Sequence, residues 1–234
     1  MRPIAWVFAL IMGSATTGAF ASECRLALVL ALDVSSSVDS QEYDLQRVGL
    51  AAALDADDVR HAILAGGSGY VALSVFEWSG FSQHDLKLDW TILDSQSAIT
   101  DAASVLAKMQ RSEDEFPTSM GAAMVYAAGL LKQAPRCRRQ VIDVSGDGIN
   151  NYRYGPRTAY RHFPFQDITV NGLVILGHDP NVLPFYRANV AHGAGAFVMT
   201  AQGFDQFRNA MTRKLYREIN DAVIGQAIPV SPKG

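Results

Sequence analysis

Beyond residue 21 the 234-residue chain has no unbroken apolar stretch approaching the ~20 residues that span a bilayer. The most hydrophobic run, Leu26 to Leu32, stops at Asp33 and a serine cluster. There is no H-E-x-x-H pair, no P-loop and no G-x-S-x-G elbow, and the five histidines (His61, His84, His162, His178, His192) are dispersed. These absences remove the zincin, P-loop nucleotide and serine-hydrolase readings. A basic surplus is also missing: formal net charge is −3, or −4 without Arg2, which excludes the electrostatic footprint of a nucleic-acid binder. No internal repeat is found, and cysteine is scarce, with only Cys24 and Cys137.

What is present begins with an export signal expected over residues 1–21. Arg2 supplies the charged start, Ile4 to Met12 the apolar stretch, and Ala19-Phe20-Ala21 a small-x-small cleavage site. The mature protein is expected to be periplasmic or secreted, without stable membrane insertion, in a compartment where two cysteines can oxidise. Residues 22–225 are read as one domain, since 49% hydrophobic residues suffice to bury a sheet between helices, and 226–234, with two prolines and no periodicity, as a flexible tail.

Leu26 to Leu32 is apolar at every position, the pattern of a central strand covered on both faces. Asp39 with Glu42 forms an Asp variant of the capping box, and Tyr43 to Leu54 has helical apolar spacing. Tyr70 to Trp78 and Asp85 to Thr91 read as a hairpin pair, the second alternating like an edge strand, with Gly66 to Gly69 as a turn. Helices are expected at Ser97 to Met109, Met120 to Gln133 and Phe204 to Ile219, and further strands at Gln140 to Ser145, Ile168 to Leu176 and Ala196 to Met199. This alternation predicts an α/β, doubly wound, mostly parallel Rossmann-like sheet of about six strands, with helices on both faces and one antiparallel edge strand.

Asp33-Val34-Ser35-Ser36-Ser37 directly follows the central strand, and in extended backbone i, i+2 and i+4 point to one side. Asp33, Ser35 and Ser37 therefore converge where an open α/β sheet binds ligands, outside the carboxyl ends of its strands. A carboxylate and two hydroxyls are hard oxygen donors suited to Mg²⁺. Two later loops add donors: Thr118 opens a helix, and Asp147 ends a strand beside Gly148.

These residues resemble the metal-ion-dependent adhesion site of the von Willebrand factor type A (VWA) and integrin I-domain family, with its pattern D-x-S-x-S, then T, then D. The likeness runs from about Leu26 to Ile219 and extends to exported bacterial proteins with a stand-alone domain of this type. It implies one Mg²⁺ or Mn²⁺ held by Asp33, Ser35, Ser37, Thr118 and Asp147, and a protein or peptide partner whose Asp or Glu completes the coordination shell. D-x-S-x-S alone is a weak pattern, because its serines also cap helices and Asp-Gly also makes turns. The fivefold match is what gives it specificity.

Other residues admit two roles each. Asp143 is an acid inside an otherwise apolar strand, serving either a structural bond or the metal from behind. Asn150 and Asn151 begin a polar and aromatic stretch to Arg157 that either lines a recognition surface or is a solvated loop. Glu77 and Trp78 end a strand near the same rim, where Trp78 is alternatively core. In the family's sheet the strands carrying Cys24 and Cys137 are parallel neighbours, so the resemblance places both cysteines at similar depth opposite the metal and implies a disulfide.

The function expected is an exported, non-enzymatic, metal-dependent binding module. The alternative is a Mg²⁺-dependent hydrolase or phosphotransferase on a similar sheet. Phosphoaspartyl enzymes of that type need a second acid two residues after the nucleophile, and Ser35 stands there.

Overall fold

A computed structural model describes residues 23–65, 69–112 and 115–224. The expected export signal and tail lie outside these residues, as does most of the turn at 66–69. The first strand, β1 (Cys24–Asp33), is buried along its whole length. It is followed by α1 (Ser40–Leu54), α2 (Asp57–Leu64), β2 (Tyr70–Trp78), β3 (His84–Leu93), α3 (Gln96–Lys108), α4 (Met120–Leu131) and β4 (Cys137–Gly146). Next come α5 (Pro156–His162), β5 (Ile168–Ile175), α6 (Val182–Phe185) running into a π-helical turn (Tyr186–Val190), β6 (Val198–Ala201) and, after a 3₁₀ turn (Phe204–Gln206), α7 (Phe207–Ile224).

The strands form one six-stranded sheet in the order β3-β2-β1-β4-β5-β6, parallel except for β3, which pairs antiparallel with β2. Strand order reverses between β1 and β4, the switch point at which such sheets bind ligands. Alternation along β1 splits the core in two. Leu26, Leu28, Leu30 and Leu32 pack with residues of α1, α2, α3 and α7, while Ala27, Val29 and Ala31 pack with α4, α5 and the α6 segment. Each of those leucines is at most 1% exposed, worth roughly 1.5–3 kcal/mol apiece.

Local chemistry sets the boundaries. Asp39 accepts from the Glu42 N–H at 2.8 Å and the Glu42 carboxylate accepts from the Asp39 N–H at 2.9 Å, so the capping box closes α1. Strand β4 begins three residues earlier than its apolar pattern, because Cys137 to Arg139 pair with Cys24 to Leu26 despite their charges. Cys24 lies directly opposite Cys137, and the two form a disulfide with Cα atoms 4.4 Å apart. The last strand lies at Val198–Ala201 rather than Ala196 to Met199. Three short helical segments, α2, α5 and α6 with its π turn, were not expected from periodicity. No helix among the described residues is long and apolar enough to cross a membrane.

Candidate metal centre

The five oxygen-bearing residues come together at the carboxyl ends of β1 and β4. Asp33 ends β1, and its carboxylate accepts from the Ser35 N–H at 2.9 Å, which turns the chain so that the serines face back toward it. Ser37 Oγ donates to Asp147 Oδ1 at 2.8 Å, Ser35 and Ser37 hydroxyls stand 3.4 Å apart, and Thr118 Oγ1 donates to Ser35 Oγ at 3.1 Å. Around an octahedral Mg²⁺ with bonds near 2.0–2.1 Å, adjacent donors stand about 2.9 Å apart, so this spacing fits a single ion. Asp33, Ser35, Thr118 and Asp147 are at least 96% buried, and Ser37 and Thr118 line a cleft of about 300 Å³ whose other side is His178, Asp179 and Pro180.

The charge pattern points the same way. Burial, and then the Asp147 carboxylate, push Asp33 up to about 7, against the opposing pull of the Ser35 bonds. Asp33 Oδ2 is buried and, among the described residues, meets no hydrogen-bond donor. Two adjacent carboxylates, one with an unsatisfied buried oxygen, fit a dication between them. Among the described residues no group of three His, Cys, Asp or Glu side chains gathers to hold a metal, so this donor set rests on two carboxylates and three hydroxyls.

Several supports were not evident from sequence. Gly146 lies beside Asp33 across the β1–β4 boundary, and a Cβ there would fall 2.7 Å from Asp33 Oδ2 and 2.9 Å from the Tyr186 hydroxyl. Tyr186, from the π turn, is fully buried against the same spot. Gln46 of α1 donates to the Asp33 carbonyl at 3.0 Å, and Arg111 donates to the carbonyls of Val34, Ser35 and Val38, holding the serine loop from behind. All four act over long sequence separations, for which a single sequence carries no pattern.

Asn150 and Asn151 fasten the Thr118 loop: Asn151 Oδ1 accepts from the Thr118 N–H at 2.9 Å, and Asn150 Oδ1 accepts from the Gly121 N–H at 3.3 Å. The other three candidates have side chains engaged with other partners. Asp143 faces α7, where its carboxylate pairs with Lys214 at 2.8 Å. Glu77 is fully buried, accepting from the Tyr43 hydroxyl and the Ser112 N–H and pairing with Lys87. Trp78 is fully buried in the core beside α4.

No curated protein sequence matches the chain. Among solved structures, the mussel byssus proximal thread matrix protein 1 with a zinc-occupied MIDAS motif is similar at 14% identity and a TM-score of 0.58, covering 85% of this chain and 46% of that one. A von Willebrand factor type A protein from Catenulispora acidiphila is similar at 17% identity and TM-score 0.55, covering 87% and 43%. The pilus adhesin SpaC from Lactobacillus rhamnosus GG is similar at 12% identity and TM-score 0.58, covering 87% and 30%. The chain thus spans less than half the length of each, and at these identities the likeness is one of fold. Residues 23–223 match the family described as "Protein of unknown function (DUF1194)", and the chain, with its VWA-type sheet, belongs to that family.

Proposed function

We propose that this protein is an exported, metal-dependent protein-binding module, in which Asp33, Ser35, Ser37, Thr118 and Asp147 hold one Mg²⁺ or Mn²⁺ that engages a carboxylate of a protein or peptide partner. The observation that carries the reading is the contact chain of oxygens from Thr118 through Ser35 and Ser37 to Asp147, beside the unsatisfied Asp33 Oδ2. A bound dication would balance the two carboxylates and present an electrophile at the cleft. Asp33, Asp147 and the hydroxyls would fix its position there. Similarity to a matrix protein and an adhesin supports a binding role, and the serine two residues after Asp33 argues against phosphoaspartyl chemistry.

The test is a thermal melt with and without divalent metal. At 100 times its Kd, a ligand of the native state alone adds about 2.7 kcal/mol. For a domain of this size each kcal/mol is worth about 2–4 °C in Tm. The expected result is that millimolar Mg²⁺ or Mn²⁺ raises the Tm of the wild type, EDTA reverses the rise, and Asp33→Asn abolishes it. A wild-type Tm indifferent to millimolar metal would overturn the reading.

A further inference from the structure

An arginine stands on an aromatic platform at the same end of the sheet as the candidate metal residues. The Arg153 guanidinium carbon lies 5.5 Å from the centroid of Phe81 and 5.3 Å from that of Tyr152. Phe81 meets Tyr154 edge-on at 5.8 Å, and Tyr154 stacks with Phe163 at 6.4 Å. Phe81 and Tyr152 are each 40% exposed and Phe163 37%, gathering exposed large apolar side chains of three separate segments into one patch.

The arginines of this segment are not engaged by carboxylates of the described residues. Among the described residues, Arg153, Arg157 and Arg161 make no ion pair with a carboxylate, whereas Arg47, Arg60 and Arg217 elsewhere each do. Arg161 is occupied by the Arg157 carbonyl and the Thr158 hydroxyl, which leaves Arg153 as the aromatic-backed cation. An arginine held over aromatic rings keeps its fork of donors oriented for a bidentate carboxylate.

The patch is fixed to the metal loop. The N–H groups of Asn151 and Tyr152 donate to the Thr118 carbonyl at 3.0 and 3.3 Å, and Ser119 Oγ donates to the Tyr152 carbonyl at 3.3 Å. The loop also lies against Gly121, where a Cβ would come within 2.2 Å of the Tyr154 carbonyl oxygen. Phe81 is three residues beyond Trp78, the β2 partner of Asp33, so it leaves the sheet at the same end. Arg153, with φ of 59°, is the one described non-glycine residue in the left-handed region, and the fastened loop holds it there.

We propose that this platform is a second recognition point for the same protein partner: Arg153, backed by Phe81 and Tyr152, pairs with a second carboxylate of the segment whose first carboxylate reaches the metal. The proposal rests on the metal reading above and names its partner more narrowly, as a peptide segment with two acidic side chains.

The experiment uses a phage-displayed random dodecapeptide library, selected on the immobilised protein in Mg²⁺ and eluted with EDTA, in parallel on wild type and Arg153→Asn. Asparagine tolerates the left-handed backbone, so the variant removes charge without forcing the loop. An unchanged Tm response to Mg²⁺ checks that the metal site is intact. Phe81→Ala, on another element, removes the ring beneath the guanidinium and keeps the test open if Arg153→Asn fails to fold. The expected result is enrichment of two acidic positions on wild type and one on Arg153→Asn. A synthetic wild-type-selected peptide should bind Arg153→Asn roughly five- to tenfold more weakly, and Phe81→Ala more weakly than wild type. EDTA-sensitive peptides with a single acid, or with equal affinity for all three proteins, would overturn the platform and leave the metal reading standing. Recovery of no acidic peptide from the wild type by EDTA would overturn the carboxylate-partner reading together with the platform, and a wild-type Tm that ignores Mg²⁺ would overturn the metal site beneath both.

Discussion

At the scale of single residues, Gly146 leaves the room in which the Asp33 carboxylate sits. Gly146→Ala would drive a methyl into the space between Asp33 Oδ2 and the Tyr186 hydroxyl. We expect a loss of about 1–3 kcal/mol in stability from the overpacking, and Mn²⁺ affinity at least tenfold lower by titration calorimetry; wild-type affinity in this variant would show that the carboxylate does not need its present position. His84, at the start of β3, offers a pH test. It stacks on Tyr126 at 4.7 Å and meets Phe76 edge-on, and burial lowers its pKa from 6.5 to about 4. Its folded pKa lies below the unfolded one, so the stability it gives is complete above about pH 6.5 and is lost as pH falls toward 4. His84→Phe keeps the stacking and removes that loss, so urea midpoints of the two proteins should diverge between pH 6.5 and 4; parallel curves would count against it. The five metal candidates were legible in the sequence because D-x-S-x-S is local and Thr118 and Asp147 sit at recognisable element ends. Gln46, Arg111 and Tyr186 were not, because each reaches the site only through tertiary contact.

Among the elements, α7 is tied to the sheet by buried charge as well as apolar contact. Lys214, fully buried, pairs with Asp143 of β4 at 2.8 Å and with Glu218 at 2.6 Å, and Asn171 of β5 donates to Glu218 at 2.8 Å. This explains an acid inside a central strand: it meets a helix that arrives 71 residues later. Lys214→Met should destabilise by about 3–5 kcal/mol, because it strands two buried carboxylates. Asp143→Leu with Lys214→Met and Glu218→Leu should recover much of that in denaturant melts; a triple variant no better than the single one would assign the loss to packing. Elements with long periodic faces or strong caps, such as α1, were readable. The polar and aromatic composition of Asn150 to Arg157 fits a loop and a recognition surface equally, although Pro156 at the first turn of α5 is a helix-start signal. The π turn had none, since its side chains are fixed by the core they enter.

For the whole molecule, the alternation of strands and helices was sufficient to predict a doubly wound sheet with an antiparallel edge, because parallel strands buried on both faces leave few alternatives. The disulfide expectation came from resemblance, and the pairing of Cys24 with Cys137 in register bears it out. Replacing both cysteines by serine opens a loop of 113 residues and should lower stability by up to about 4–5 kcal/mol, read from the denaturation midpoint of the oxidised protein against the variant. An unchanged midpoint would show that the sheet aligns these strands without help.

The covalent link and the candidate metal residues sit at opposite ends of the same pair of strands, β1 and β4. A cation bound by those residues would fasten the same alignment of β1 against β4 that the disulfide fastens at the other end. By linkage, whatever factor closing the sulfur bridge added to the affinity for such a cation, the cation would add to the resistance of that bridge to reducing agents. Chelation and reduction would then be two handles on a single equilibrium, with a thiol buffer reading the state of the far end of the sheet.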